Sequence, residues 1–209
     1  EGYLRTRLAR RFSVLGKKFD FRVFLQGSEI TESDRSIYDK VQFLWAFDQE
    51  TLDRVSQLSP NIATTKESPP ETCKKLISNV VQLPDGSGAK VTGYVASVFK
   101  PSNLGAKEDS ANALSIFANG RVFSKNVLGG LNSAKYYQNY LVGEIHADFL
   151  DEDDVDRATA SREAIKKDDP KYRALIAFAM STLEAIGDQW DDWRLALGLD
   201  DNSPGNDAV

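Results

Sequence analysis

Residues 140–163 read YLVGEIHADFLDEDDVDRATASRE, and three patterns follow one another within them. The apolar residues of 140–147 predict a strand. A densely acidic turn follows over 148–156, and Ser161-Arg162-Glu163 then begins a predicted helix. The rest of the chain is expected to be arranged around this strand, turn and helix start.

Arg162 is the unusual residue of this stretch, because it stands in the first turn of the predicted helix. The partial positive charge of a helix N-terminus makes a cation there unfavourable by roughly 0.3–1 kcal/mol. Two interpretations remain open. Arg162 either pairs with a neighbouring carboxylate, such as Asp153 or Asp156, or is positioned for an anion that the sequence does not itself supply.

The acidic turn has two interpretations as well. Hard divalent cations bind several oxygen ligands, so the carboxylates of 148–156 beside His146 make a candidate metal site of a metal-dependent nuclease. The ligand order of a calcium loop is missing, since the run contains no Gly at the required turn. A solvated acidic turn that precedes a helix is the commoner alternative.

Composition favours a soluble globular protein. The 209 residues carry a net charge of -5, with 27% charged and 41% hydrophobic residues, and this balance gives no overall basic surface for nucleic acid. Cys73 is the one cysteine, which excludes an intrachain disulfide and favours a reducing, cytoplasmic location. No apolar run approaches the roughly 20 residues that span a bilayer, and no signal peptide is present. Because the chain opens without Met and inside a predicted helix, we expect a piece of a longer protein.

The first half of the chain predicts alternating helices and strands. Apolar residues recur at helical spacing over 4–15, with arginines on other faces; this basic side could contact phosphate or be a solvated charged face. A strand is predicted over 19–26. The sequence Thr31-Glu32-Ser33-Asp34 predicts a helix start, with apolar residues at helical spacing over 37–44. Trp45 and Phe47 are expected to return to the sheet.

The remaining elements are clearer from about residue 85 onward. A helix is predicted over 51–58, whereas 76–81 fits either a helix or a buried strand. Strands are predicted over 90–99 and 112–118, and Asn119-Gly120 predicts a tight hairpin turn after the second. Phosphate-binding GxxxxGK[ST] and nucleophile GxSxG motifs are absent, so ATP hydrolysis by this chain alone is not expected.

Residues 170–197 predict one long helix of about 42 Å at 1.5 Å rise per residue. Its apolar stripe ends with Trp190 and Trp193, which are either core residues or, in a non-enzymatic protein-interaction module, the face that docks a partner. Residues 199–209 are polar and contain Pro and Gly, so a disordered tail is predicted. The mixed order of strands, hairpins and helices indicates an α+β class.

The order of motifs also resembles a known class. Asp148-Phe-Leu-Asp151 followed by Ala160-Ser-Arg-Glu163 and a long helix is similar to the middle domain of the ninety-kilodalton heat-shock chaperones. Bacterial MORC-like proteins of the GHKL ATPase class, associated with restriction and phage-defence systems, are similar over Leu8–Ser13, Gln42–Trp45 and Gly143–Asp151. Thr159-Ala160 departs from the chaperone pattern, which has Leu-Asn there.

This resemblance implies a ribosomal-S5-like transducer (middle) domain over residues 1–198, with a mixed or antiparallel sheet and a long C-terminal helix. It implies that a GHKL ATP-binding domain of the same protein, outside this chain, holds ATP and Mg²⁺, and that this chain alone binds neither. Arg162 would reach the ATP γ-phosphate and act in catalysis, with Ser161 beside it; Lys135 is the candidate for a second phosphate contact. The implied partners are the ATP-binding domain, a second copy in a homodimer, and DNA or a partner protein, with no membrane.

Overall fold

The computed structural model describes residues 2–11, 22–105, 113–130, 135–152, 166 and 168–199. The described part contains the helices α1 (Gly2–Arg11), α2 (Gln49–Leu58) and α3 (Pro170–Ala196). Its strands are β1 (Val23–Leu25), β2 (Ser28–Ile30), β3 (Val41–Ala46), β4 (Lys74–Leu76), β5 (Val80–Gln82), β6 (Gly88–Lys90), β7 (Thr92–Val98), β8 (Leu114–Ala118), β9 (Arg121–Ser124) and β10 (Leu141–His146).

Six of the strands form one mixed sheet in the order β4-β3-β7-β10-β8-β9. β7 pairs antiparallel with β3 and β10, and β8 pairs antiparallel with β9. The pairs β3–β4 and β10–β8 are parallel. The hairpins β1–β2 and β5–β6 form separate two-stranded sheets. The α+β class, the mixed sheet and the long C-terminal helix are therefore as predicted.

Helix α3 covers one face of the sheet and confirms the predicted helix over 170–197. Trp193 stacks on Trp45 of β3 with 5.1 Å between the ring centroids. Trp190 donates from Nε1 to the hydroxyl of Ser97 on β7 at 3.2 Å. Both tryptophans are buried, so they belong to the core and not to an exposed docking face.

The other face of the sheet is covered by the N-terminal part of the chain. Successive strand residues point to opposite faces, so Glu144 and His146 of β10 share the face opposite to that of Ile145. The 3-10 turn Glu32–Arg35 reaches Glu144 from this side. Behind the turn, α1 and the β1–β2 hairpin enclose a small core of their own, around Ala9 and Ile30.

Residues 31–46 differ from the prediction. The sequence predicted a helix after Thr31 through the apolar residues of 37–44, but the structure has two short 3-10 turns, Glu32–Arg35 and Tyr38–Lys40, and then β3. All six residues of β3 are buried. A strand covered on both faces has no polar alternation, so its apolar residues matched helical spacing by coincidence.

The local predictions have different outcomes, and the hairpin turn is confirmed. Asn119 and Gly120 both have positive φ, and they turn β8 into β9 as the dipeptide predicted. The ambiguous stretch 76–81 is not a helix: Leu76 ends β4, and Val80 and Val81 begin β5, with no regular element over 77–79. It is not a buried strand either, since Val81 is the one buried residue of the stretch. None of the described helices is long and apolar enough to cross a membrane. The predicted tail lies outside the described residues from position 200 onward.

Candidate functional site

The centre of the sheet carries a buried ion pair between Arg35 and Glu144. Arg35 Nη1 donates to Glu144 Oε2 at 3.2 Å, and the two residues are only 6% and 7% exposed. Arg35 Nε also donates to the backbone carbonyl of Ala9 at 3.2 Å. A single guanidinium therefore fastens both α1 and the first 3-10 turn to the central strand β10.

Glu32 extends this pair into a network. Its carboxylate lies 3.6 Å from Arg35 Nη1 and is also bound by Arg54 of α2. Tyr38 donates its hydroxyl hydrogen to Glu32 Oε1 at 2.6 Å. The network thus joins two carboxylates to two guanidinium groups and includes α2, which packs against β3, β4 and β7.

The network keeps Glu144 ionised. Burial by itself would raise the pKa of the Glu144 carboxyl, but the charge of Arg35 and then the hydrogen bond from His146 outweigh it and hold the pKa at about 2. The pKa of the neighbouring Tyr94 phenol is shifted upward instead. Burial, followed by the charge of Glu144, raises the pKa of Tyr94 to about 12. These groups keep fixed protonation states near neutral pH, which favours a structural role for the network.

His146 connects the network to the surface. Its Nε2 lies 3.4 Å from Glu144 Oε1, and its side chain is 24% exposed. The imidazole stacks on Phe117 of β8 with 5.2 Å between the ring centroids. Gly93 of β7 is required mainly by the backbone of β10, since a Cβ there would lie 2.2 Å from the carbonyl oxygen of Glu144, and its φ is +110°. The same Cβ would lie 3.3 Å from His146 Cδ2. The Glu144–His146 pair is the arrangement in the described residues that most resembles an acid–base pair.

The acidic turn after β10 binds the β8–β9 hairpin. Asp148 Oδ1 accepts the backbone N–H of Asn119 at 2.8 Å, and Asp151 Oδ2 accepts the Asn119 side-chain amide at 3.2 Å. These bonds hold Asn119 in its left-handed conformation, with φ 47°. Asp148 and Asp151 thus have a structural task that the sequence alone did not show.

A divalent metal does not fit the acidic turn as far as the structure describes it. Two of its carboxylates, those of Asp148 and Asp151, accept hydrogen bonds from Asn119. Across the described ranges, no three side chains of His, Cys, Asp or Glu come together in a group that could hold a metal ion. The other predicted members, Asp153, Asp154 and Asp156, lie outside the described residues.

The predicted phosphate-contacting residues are only partly covered. Arg162 and Ser161 lie outside the described residues. Lys135 is exposed and immediately precedes the 3-10 turn Tyr136–Tyr140, where its carbonyl accepts the N–H of Gln138 at 3.1 Å. Lys135 is not part of the Arg35–Glu144 network. The phosphate contacts predicted for Arg162, Ser161 and Lys135 are not tested by the structure and stay a prediction.

The network residues were not singled out from the sequence. Glu144 did carry a signal, since a lone carboxylate within an apolar strand run needs a partner once it is buried. Arg35 carried none, because it stands in a polar stretch that looked like a solvated helix start. Only the pairing of distant segments identifies it.

Comparison with known proteins finds a similarity that extends over almost the whole chain. The chain is 32% identical over 197 residues to a Herpetosiphon aurantiacus protein described as "Putative type II restriction enzyme HgiDII". The match covers 93% of this chain and 30% of the relative, so the chain spans less than a third of that protein. No family model and no solved structure matches.

This likeness corrects the class inferred from short motifs. A protein described as a type II restriction enzyme is similar over 93% of this chain, so the assignment to a GHKL transducer domain, with its MORC-like and heat-shock-chaperone-like relatives, is wrong. The expectation that a preceding domain holds ATP and Mg²⁺ depended on that assignment, so it is wrong as well. The short matched stretches, over 8–13, 42–45 and 143–163, weigh less than an alignment of 197 residues. The ribosomal-S5-like form of the fold stays a prediction that no solved structure tests.

Proposed function

We propose that this chain is part of a restriction-type endonuclease and that it contributes to the action of that enzyme on DNA. The observation that carries the proposal is the 32% identity to a protein named as a restriction enzyme, along 93% of this chain. This is the nuclease alternative that the acidic turn suggested, but no metal is assigned to the described carboxylates of that turn. Because the chain corresponds to 30% of the relative, cleavage is proposed for the whole protein.

Endonucleases of this kind use a divalent metal to activate water and stabilise the leaving oxygen. The described carboxylates do not fit such a metal, so we assign no step of phosphodiester cleavage to Asp148 or Asp151. The described residues of the network and of the turn have structural roles. The Arg35–Glu144 network clamps the N-terminal layer to the sheet, and the acidic turn clamps the β8–β9 hairpin.

The test is a cleavage assay with the full-length protein. Unmodified plasmid and phage DNA are incubated with Mg²⁺ or Mn²⁺, with EDTA as the control, and the ends of any fragments are sequenced. Discrete, metal-dependent fragments with a common end sequence are expected. No cleavage of DNA from several sources, under conditions in which the protein is folded, would contradict the proposal.

A further inference from the structure

His146 is the last residue of β10 and lies at an edge of the sheet where several strands end. β3 and β10 both run antiparallel to β7, and β8 runs parallel to β10, so β3, β8 and β10 end at the same edge. In open α/β sheets, ligands bind in the crevice outside the carboxyl ends of the strands. His146 therefore stands where a substrate can reach a side chain of the sheet.

The imidazole of His146 is oriented by two neighbours. Its Nε2 lies 3.4 Å from Glu144 Oε1, and the ring stacks on Phe117 with 5.2 Å between the ring centroids. Stacking covers a face of the ring and leaves its edge, where the nitrogens lie, uncovered. In the part of the chain that the structure describes, Glu144 is the polar partner of the imidazole, and it is contacted through Nε2. Nδ1 is thus left for another group.

The ionised state of Glu144 decides what Nδ1 can do. A carboxylate accepts hydrogen bonds and cannot donate one, so the imidazole nitrogen that faces Glu144 carries the hydrogen. In a neutral imidazole the other nitrogen then has a lone pair that accepts a proton. A carboxylate behind the ring fixes this tautomer and stabilises the imidazolium that forms when the proton is taken up. His146 has the arrangement of a general base.

The surroundings of His146 leave it accessible. Its side chain is 24% exposed, whereas that of Glu144 is 9% exposed. Thr92 is directly opposite His146 in the pairing of β7 with β10, and it is exposed. Opposite residues of an antiparallel pair share a face, with about 4.5–5.5 Å between their Cβ atoms. The Thr92 hydroxyl is a donor of the kind that binds phosphate oxygens, so a phosphodiester can be held beside the imidazole.

The charged groups around His146 come from four segments. Glu144 lies on β10 itself, and Arg35 of the first 3-10 turn is bound to the other oxygen of its carboxylate. Asp48 and Asp148 follow the ends of β3 and β10, and each accepts a backbone N–H at 2.8 Å. These groups face the ring from both sides of β10, and they define the electrostatic environment in which His146 gains and loses a proton.

We infer that His146 is the general base of phosphodiester cleavage. The inference rests on the proposed function and names the residue of this chain that acts on the substrate. Nδ1 takes a proton from a water molecule while the water oxygen forms a bond to phosphorus. The bond from phosphorus to the leaving sugar oxygen breaks, and that oxygen takes a proton from solvent. Glu144 is a positioning residue, because it acts through His146.

The test measures kcat and KM of the full-length protein on duplex DNA over a range of pH. His146→Gln keeps a donor towards Glu144 and a similar size, but its amide cannot take up the proton. General-base catalysis contributes about 10²–10⁴-fold, so kcat should fall by that factor while KM stays nearly unchanged. The rate of the unmodified protein should decrease at low pH, where the imidazole is protonated, and this decrease should be absent in His146→Gln.

Chemical rescue tests the base itself. His146→Ala leaves a gap at the protein surface, and added imidazole should restore part of its rate, most strongly at pH values where imidazole is neutral. Imidazole should not raise the rate of the unmodified protein. Gln189→Ala is the matched control, because Gln189 lies on α3 at the opposite face of the sheet, where it binds Lys75. It should cleave at the unmodified rate.

The outcomes separate this inference from the proposed function. A folded His146→Gln protein that cleaves at the unmodified rate would overturn the inference, while the cleavage itself would still support the proposed function. Lost activity that imidazole does not restore in a folded His146→Ala protein would assign His146 a structural role, and the inference would be wrong. If His146→Gln does not fold, the rescue of His146→Ala decides. If the unmodified protein cleaves no DNA, the proposed function is overturned, and the inference with it.

Discussion

Arg35 and Glu144 are separated by 109 residues in the chain, yet Arg35 Nη1 and Glu144 Oε2 lie 3.2 Å apart. Both side chains are buried. The pair links a turn near the N-terminus to the middle of the sheet, so its loss affects two layers at once. Buried ion pairs are costly to form, but removing one partner leaves an uncompensated charge and is more costly still.

Replacing Glu144 with Gln should strongly destabilise the fold. The charge of Arg35 would remain buried, with Glu32 at 3.6 Å, and breaking a buried pair costs roughly 3–5 kcal/mol. Urea unfolding followed by circular dichroism measures the change. Glu184→Gln on the exposed side of α3 is the control and should change stability by no more than about 0.5 kcal/mol.

A double variant tests whether the charge is the cause. Arg35→Met/Glu144→Leu removes both charges, so it should recover most of the stability lost in Glu144→Gln. A double variant less stable than Glu144→Gln would show that hydrogen bonding and shape in the network matter more than charge compensation.

The pH dependence of stability should identify Glu144 directly. Its folded pKa of about 2 lies below its ordinary value of 4.5, so the unfolded chain takes up this proton first as the pH falls. The stability that the ionised group contributes is complete above the unfolded value and is lost as the pH falls through the folded value. The difference in unfolding free energy between the unmodified chain and Glu144→Gln should therefore shrink from about pH 4.5 towards pH 2. A difference that stays constant over this window would assign the effect of the substitution to packing.

Local sequence signals predicted local structure. Asn119-Gly120 specifies a tight turn whatever lies elsewhere in the chain, and the hairpin is found there. Asp169-Pro170 supplies a helix start, and Asp169 accepts the N–H of Tyr172 at 2.9 Å. These features depend on neighbours within a few residues, which a sequence shows directly.

The sequence did not show which distant segments of the chain pack against each other. β3 lies between β4 and β7, and its burial on both faces removed the alternation that would have revealed a strand. The Arg35–Glu144 pair likewise depends on which turn packs over β10. The GHKL class was predicted wrongly for a related reason, because the motif around Arg162 spans only a few residues, whereas the similarity to the relative extends over 197 residues.

Trp193 should be essential to the core and not to a docking surface. Its ring stacks on Trp45 and is 4% exposed, whereas Leu195 of the same helix is 62% exposed. Trp193→Ser is expected to lower the unfolding free energy by roughly 3–5 kcal/mol. Leu195→Ser should stay within about 0.5 kcal/mol of the unmodified chain, apart from a small change in helix propensity. A folded, equally stable Trp193→Ser chain with an altered mass by light scattering would instead favour the interaction-module alternative.

Gly187 is the position where helix propensity and packing make opposite predictions. Ala is favoured over Gly in a helix interior by roughly 1 kcal/mol, so Gly187→Ala would stabilise α3 if the helix stood alone. In the structure a Cβ at this position would lie 2.6 Å from Cε1 of Tyr137. The ring cannot move freely, because its hydroxyl donates to the carbonyl of Leu183 at 2.7 Å. Overpacking a fixed neighbour costs roughly 1–3 kcal/mol, so we expect net destabilisation in thermal and urea unfolding. Tyr137→Leu removes the obstructing ring, and Gly187→Ala should then become neutral or stabilising when added to Tyr137→Leu. If Gly187→Ala stabilised the chain while Tyr137 was present, the close packing of α3 on the Tyr136–Tyr140 turn would be wrong.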